Sequence, residues 1–349
     1  MYASISIWIK SIKFCQTMIE GHGDDIYGKQ DIKMNFSSNI YPNPNKELKE
    51  HLQQHLGLIS HYPPPSASEL EQLLAEEYGV SEQEVMVTSG ATDAIYLIAQ
   101  TFRDDRTFKV FPPTFSEYED ACRIFGYEEH PVGALCWLCN PNNPTGDVVD
   151  NDFICQLSRQ HKWVVADQSY EDYTSEERMS AKDAISLGNV IQIRSLTKKH
   201  AIPGLRIGFV TAPEAIISRL RAQYRPWAVN ALAIEAGIWL TRHHKDSIPD
   251  IKALLLQTQK LREMLLAIGG IEVMPTKTTF MLCRLEKNYA ETLKDYLIRE
   301  HHILIRDASN FRGLTPQHFR ISTQTEQENC ALVRAIREFQ QLSNSKKIT

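Results

Sequence analysis

Lys198 lies in the run Ser195-Leu196-Thr197-Lys198, and Arg206 follows eight residues later, beyond Ile202-Pro203-Gly204-Leu205. A lysine amine can form a Schiff base with an aldehyde, while hydroxyls and a guanidinium can bind phosphate oxygens. Together these residues have the parts needed to hold a phosphorylated aldehyde, and the cofactor they suggest is pyridoxal 5'-phosphate. Taken alone, the pair fits a loop of solvated surface charges at least as well, so the decision rests on what precedes it.

Upstream, the apolar run Leu135-Cys136-Trp137-Leu138-Cys139 reads as a buried strand, and Asn140-Pro141-Asn142-Asn143-Pro144-Thr145-Gly146 as a rigid turn at its end. Ligands of open α/β sheets bind beyond the carboxyl ends of strands, where such a turn lies. A second strand, Trp163 to Ala166, delivers Asp167 at its end with Tyr170 close behind. Asp167 there can pair with a protonated pyridine nitrogen and so make the ring an electron sink, or can simply cap a helix. Tyr170 can donate to a phenolic oxygen. Val85 to Ile95 reads as strand, Gly turn and helix start, and a helix N-terminus with Gly90, Ala91 and the Thr92 hydroxyl suits a phosphate. Phe115, in Pro112-Pro113-Thr114-Phe115-Ser116-Glu117-Tyr118, can stack on a flat heterocycle or anchor the core.

The order Gly90-Ala91-Thr92, Phe115, Asn143, Asp167, Tyr170, Lys198, Arg206 resembles that of the fold-type I pyridoxal-phosphate enzymes, the aspartate aminotransferase superfamily with its class I/II aminotransferases. The resemblance runs from about His22 to the C-terminal helix. It implies an α/β fold with a mainly parallel seven-stranded sheet flanked by helices, and a smaller α/β C-terminal domain. It also implies that Lys198 carries the cofactor and moves protons, that Asp167 pairs with the pyridine nitrogen, and that Asn143 and Tyr170 bond the phenolic oxygen. Phe115 would cover the ring, while Gly90, Ala91, Thr92, Ser195, Thr197 and Arg206 would hold the phosphate. Tyr62, in His61-Tyr62-Pro63, matches a tyrosine that in this family reaches the phosphate from the partner subunit, so a homodimer with shared sites is implied.

The elements that position these residues follow from periodicity. From about residue 66 to 245 apolar strands alternate with helical patterns, including a helix from Ser66 through Tyr78 with capping-box spacing to Glu69. From about 246 the pattern becomes a long helix through Leu265, strands near Ile271–Met274 and Phe280–Arg284, a helix from Tyr289 to Arg299, a strand His302–Arg306 and a last amphipathic helix from about Glu326. The expected division is an extension at 1–17, an N-terminal segment at 18–60 packing with the small domain, a large cofactor domain at 61–245 and a small domain at 246–349. Only a short connection separates Glu129 from Leu135, so the crossover helix expected there is missing and the local topology is open.

Composition agrees with a two-domain enzyme: 349 residues, 42% hydrophobic, and a net charge of -5 that leaves no basic footprint for nucleic acid. Seven scattered cysteines read as reduced thiols of a cytoplasmic protein, and Cys136-x-x-Cys139 lies inside a strand with no second pair, which argues against a metal or redox site. The apolar stretch Ile5 to Ile9 has neither a basic leader nor a cleavage signature, and no segment reaches the length of a membrane span.

Within the superfamily the chain is similar to two neighbouring groups, L-threonine-O-3-phosphate decarboxylase of cobalamin biosynthesis and histidinol-phosphate aminotransferase. Both act on small amine phosphates. The decarboxylases are matched by Gly21-His22-Gly23, Asn35-Phe36-Ser37-Ser38-Asn39-Ile40, Arg194 to Arg206, and Pro226 to Ala233. In both groups an arginine at the place of Arg306 meets the substrate phosphate, with His22 and Asn39 as further phosphate-binding candidates, and Arg320 in His318-Phe319-Arg320-Ile321-Ser322 matches the carboxylate-binding arginine of the whole family, as its planar two-donor fork suits. Asp24-Asp25 and Thr323-Gln324 depart from the decarboxylase pattern, the second where some members carry another arginine. Decarboxylation is therefore the expected reaction, transamination the alternative, and a non-catalytic cofactor-binding homologue the reading from another class. No metal is expected.

Overall fold

The computed structural model describes residues 26, 31–40, 45–243 and 250–345. The expected extension 1–17 and His22 lie outside the described residues. The N-terminal segment supplies β1 (Met34–Asn35) and helix α1 (Lys46–Gln54), followed by α2 (Ser68–Tyr78). The helix expected from Ser66 starts two residues later, and Ala67 at its cap makes no side-chain hydrogen bond. A capping box does form at Ser81 and Glu84, leading into the first strand of the main sheet.

That sheet contains β2 (Val85–Thr88), β3 (Thr107–Lys109), β4 (Glu128–Glu129), β5 (Leu135–Cys139), β6 (Trp163–Asp167), β7 (Val190–Ser195) and β8 (Gly208–Thr211). Its seven strands run in the order β2-β8-β7-β6-β5-β3-β4, all in one direction except β8, which is antiparallel to both neighbours. The central strands β5 and β6 read as near-continuous apolar runs because helices cover both faces, whereas the edge strand β4 is an exposed Glu-Glu pair. Leu135, Trp137 and Cys139 join the cluster under helices α3 (Gly90–Thr101) and α4 (Glu117–Ile124), whereas Cys136 and Leu138 join the one under α5 (Asn151–Gln160). Strand alternation thus sends the Cys136 and Cys139 thiols to opposite sides of the sheet, and burial pushes each up to about 12. All the described cysteines are free.

The connection from β4 to β5 contains no helix, and its topology is now explicit. Glu129 and Leu135 both pair with Phe108, on opposite edges of β3, so the chain need not travel back along a strand before the next one begins. It crosses β3 directly, with Gly133 so close that a Cβ would lie 2.2 Å from the Phe108 carbonyl carbon. A glycine at this crossing replaces the usual helical crossover.

Past α6 (Ala231–His243) and α7 (Ile251–Leu266), a four-stranded sheet is formed by β9 (Ile271–Val273), β10 (Phe280–Leu285), β12 (Arg306–Asp307) and β13 (His318–Ser322), in the order β12-β13-β10-β9. The single strand expected over His302–Arg306 is two: β11 (Ile303–Leu304) pairs in parallel with β1, and β12 joins the sheet. Helices α8 (Ala290–His301) and α9 (Glu326–Ser345) complete this part, and Phe36 from the N-terminal segment lies in its core. No helix among the described residues is long and apolar enough to cross a membrane.

Candidate active site

The direction of the strands determines where the side chains meet. Phe115, Asn143, Asp167 and Ser195 all lie at or just beyond the carboxyl ends of parallel strands, and Gly90 follows β2 at the same edge of the sheet. Because β8 is antiparallel, its first residue rather than its last reaches that edge, and this brings Arg206 in just before Gly208. A cleft of about 630 Å³ opens there, lined by Ala91, Thr92, Phe115, Asn143, Asp167, Tyr170, Ser195, Thr197, Lys198 and Arg206, and on its far wall by Asn39, Arg306 and Arg320. Tyr62 lies outside it, 87% exposed, with its ring 5.5 Å from that of Trp227.

At one end of the cleft a set of donors surrounds the start of α3. Gly90 adopts φ +83°, and a Cβ there would lie 2.7 Å from Arg206 Nη2, so glycine both permits the turn and lets the guanidinium approach. Gly208 is constrained too, since its Cβ would meet the Arg194 carbonyl oxygen at 2.7 Å. The Ser195 and Thr197 hydroxyls are 2.6 Å apart on the turn preceding Lys198. A helix start, hydroxyls and a guanidinium are the groups that could hold a phosphate there.

At the other end, Asp167 is buried and its carboxyl is raised above its usual range, chiefly by desolvation, while hydrogen bonds and Lys198 pull it down. Its Oδ1 accepts from the Ser169 backbone N–H at 2.9 Å and its Oδ2 from the Tyr118 hydroxyl at 2.7 Å. The sequence pattern marks Tyr118 only as the end of a loop motif. It is instead on the first turn of α4, three residues after Phe115, fully buried, stacked on Trp137 at 5.3 Å and edge-on to Phe115 at 5.7 Å. Phe115 lies just before the cap of α4, so the two rings meet through the entry of the chain into the helix, a contact that the spacing alone does not announce.

Lys198 sits on a short helical turn, Leu196–Lys199, where the Ser195 hydroxyl accepts from the Thr197 amide. The Tyr173 hydroxyl donates to the Lys198 carbonyl at 2.8 Å, and Lys198 Nζ stands 5.8 Å from the Tyr170 ring centroid. Asn143 accepts at Oδ1 from Arg320 Nη1. A guanidinium can only donate, so Asn143 keeps its amide Nδ2 for another acceptor.

On the far wall, Arg306 and Arg320 are directly opposite each other across the β12–β13 ladder and are 7% and 6% exposed. Opposite residues of a ladder share a face, which puts both guanidiniums on the cleft side. Arg320 also donates to the Ser37 carbonyl at 2.6 Å, and Arg306 to Asn310 at 3.0 Å. Asn39 is buried with neither side-chain polar atom partnered among the described residues, and the Ser169 hydroxyl shares that condition.

The family profile described as aminotransferase class I and II matches residues 31–135 and 127–336. The chain belongs to this family. Among its relatives of known structure, the L-threonine-O-3-phosphate decarboxylase from Porphyromonas gingivalis is 38% identical, with a TM-score of 0.84 over 88% of this chain and 99% of that one. The histidinol-phosphate aminotransferase of Caldanaerobacter subterraneus subsp. tengcongensis is 28% identical over 84% of this chain and 90% of its own length. The histidinol-phosphate aminotransferase from Sinorhizobium meliloti, solved in complex with pyridoxal-5'-phosphate, shares the fold, with a TM-score of 0.78, 19% identity and coverage of 91% and 94% of the two chains. Pyridoxal phosphate is the cofactor of this aminotransferase family. The cleft fits it: donors at one end for the phosphate, a buried carboxylate at the other for the ring nitrogen, an aromatic side chain beside the ring and a lysine amine between.

Proposed function

We propose that the protein is a pyridoxal-phosphate enzyme for a small phosphorylated amino acid, and that its reaction is decarboxylation of L-threonine O-3-phosphate to aminopropanol phosphate, a step of cobalamin biosynthesis. The observation that carries this reading is the pair Arg306 and Arg320, opposite in register, nine-tenths buried and facing the cleft that holds Lys198. Like charges directly opposite on a ladder are destabilising, and a ligand with two anionic groups offsets that cost. Threonine phosphate brings a phosphate and a carboxylate. A transaminase would present two anionic groups as well, on 2-oxoglutarate, so the pair supports a doubly anionic substrate in either reaction. The choice of decarboxylation is supported by the 38% identity to the Porphyromonas gingivalis decarboxylase.

In this reading Arg306, with Asn39 and His22, would bind the substrate phosphate, and Arg320 would hold the carboxylate that leaves. When bound, pyridoxal phosphate supplies an electron-withdrawing ring conjugated to Cα. Asp167, held by Tyr118 and the Ser169 amide, keeps the ring nitrogen protonated. Phe115 covers the ring face, Asn143 Nδ2 and the Tyr170 hydroxyl donate to the ring oxygen, and Gly90, Ala91, Thr92, Ser195, Thr197 and Arg206 anchor the phosphate. Lys198, as its ammonium, would supply the proton that takes the place of the departing carbon dioxide at Cα. The chain divides at about 60 and 245 into N-terminal segment, cofactor domain and small domain. It acts as a cytoplasmic homodimer whose partner's Tyr62 reaches the phosphate, a role suited to the exposed aromatic pair Tyr62 and Trp227.

Transamination remains the second reading, on the strength of one position. Thr323-Gln324 stand in the stretch where some decarboxylases carry a further arginine, and the Gln324 amide donates to the Ile40 carbonyl at 3.3 Å. Incubation with threonine phosphate alone, and separately with histidinol phosphate plus 2-oxoglutarate, discriminates between the two. Decarboxylation yields aminopropanol phosphate in the first vessel and no glutamate in the second. Glutamate in the second, with no amine phosphate in the first, contradicts the proposal.

A further inference from the structure

Away from the cleft, α1 and α6 bring together two histidines and a carboxylate. His51 and His55 are one helical turn apart, and their rings face each other with centroids 4.1 Å apart. His51 Nε2 is 2.7 Å from Glu235 Oε1, and His55 Nε2 is 3.9 Å from the same oxygen. One donor atom from each residue lies within 4.8 Å of the other two.

The hydrogen bond to Glu235 fixes the ring of His51, and a backbone contact fixes that of His55. His55 Nδ1 lies 2.8 Å from the His51 carbonyl oxygen. A carbonyl only accepts, so Nδ1 is the donor there and Nε2 is the ring nitrogen that faces Glu235. This is the arrangement in which a ligating histidine is usually held, with its other nitrogen donating to a backbone carbonyl. The scaffold is rigid as well: Leu48 of α1 is buried with Ala236 and Leu240 of α6, and Leu52 and Trp239 pack against them.

We propose that His51, His55 and Glu235 form a binding site for a divalent transition ion of the zinc class, clamping α1 onto α6. Two imidazoles and one carboxylate suit zinc and its neighbours rather than magnesium or calcium, which take oxygen ligands. A tetrahedral ion with bonds of about 2.0–2.1 Å holds its ligands roughly 3.3 Å apart. The 2.7 and 3.9 Å separations straddle that value, so small side-chain rotations complete the triad. All three side chains are partly exposed, which leaves the remaining position to water. Occupancy would also steady the segment before α1, whose Asn39 and Ser37 form part of the cleft wall.

The test uses untagged, full-length holoenzyme, dialysed against a chelator and titrated calorimetrically with Zn(II) and with Co(II). The proposal expects one ion per chain at about micromolar affinity or tighter, and a visible Co(II) spectrum of low coordination number. His55→Ala and Glu235→Gln should each weaken binding at least tenfold, and His51→Ala/His55→Ala should abolish it together with the metal-induced rise in melting temperature. Glu235→Gln, which keeps a side chain of the same size, guards against a double variant that fails to fold. Absence of saturable binding, or binding that survives in Glu235→Gln and the double variant alike, overturns the proposal.

Discussion

Replacing Tyr118 by Phe removes a single oxygen from a ring that is otherwise fully enclosed. The stacking on Trp137 and the edge contact with Phe115 are retained, so the change isolates the 2.7 Å hydrogen bond to Asp167 Oδ2. A hydrogen bond to a charged group contributes about 1.5–3 kcal/mol, and its loss here leaves a buried carboxylate oxygen without that donor. If Asp167 must be ionised to pair with the ring nitrogen, cofactor affinity should fall roughly 10- to 150-fold, since about 1.4 kcal/mol corresponds to a factor of ten. The sign of the pH dependence follows from the raised Asp167 carboxyl. Without cofactor, a carboxyl whose folded pKa is raised favours folding while protonated, and that contribution is lost as pH rises through the folded value. Cofactor binding has the opposite slope, because it requires the ionised form and fails as pH falls through that value. Tyr118→Phe pushes the carboxyl higher still, so the acid limb of cofactor binding should move to higher pH. Equilibrium binding of pyridoxal phosphate from pH 5 to 9, with the melting temperature of the cofactor-free protein as a folding control, measures both effects. Unchanged affinity and an unmoved acid limb would refute the role given to Tyr118.

Gly90→Ala should also impair cofactor binding. A left-handed alanine costs about 1–2 kcal/mol, and the new Cβ displaces the Arg206 guanidinium, so at least a tenfold loss is expected by fluorescence titration. Arg306→Ala removes a buried cation facing the cleft. With about 3–5 kcal/mol at stake for one partner of a buried ion pair, kcat/KM for threonine phosphate should fall by at least a hundredfold, while unphosphorylated threonine is affected far less; equal losses would sink the phosphate assignment. Gly133→Val should destabilise the protein by several degrees without changing cofactor stoichiometry, since the clash is with the Phe108 backbone and away from the cleft.

The cofactor end of the cleft was legible in the sequence because its residues are set by local devices. A strand end delivers Asp167, a glycine turn opens α3, and each device leaves a short motif. The elements that depend on distant pairing left no such trace. The facing of Arg306 by Arg320 is a register across β12 and β13, and no periodicity in the intervening loop announces it. Tyr118 was visible as a residue but not as a partner of Asp167, which lies 49 residues away. The split of His302–Arg306 into β11 and β12 arises because Leu304 pairs with β1 and Arg306 with β13. Gly133 shows the same limit, as only the crossing of β3 reveals why that position has no side chain.

The central claim is that a carboxylate leaves from the substrate held by Arg306, Arg320 and Lys198. Threonine phosphate labelled with carbon-13 in its carboxyl group, incubated with the holoenzyme and followed by NMR, tests it most directly. The account predicts that the label appears as carbon dioxide or bicarbonate in an amount equal to the aminopropanol phosphate formed, and that Lys198→Ala abolishes both. Label retained in a keto acid, or turnover that persists in Lys198→Ala, would contradict it.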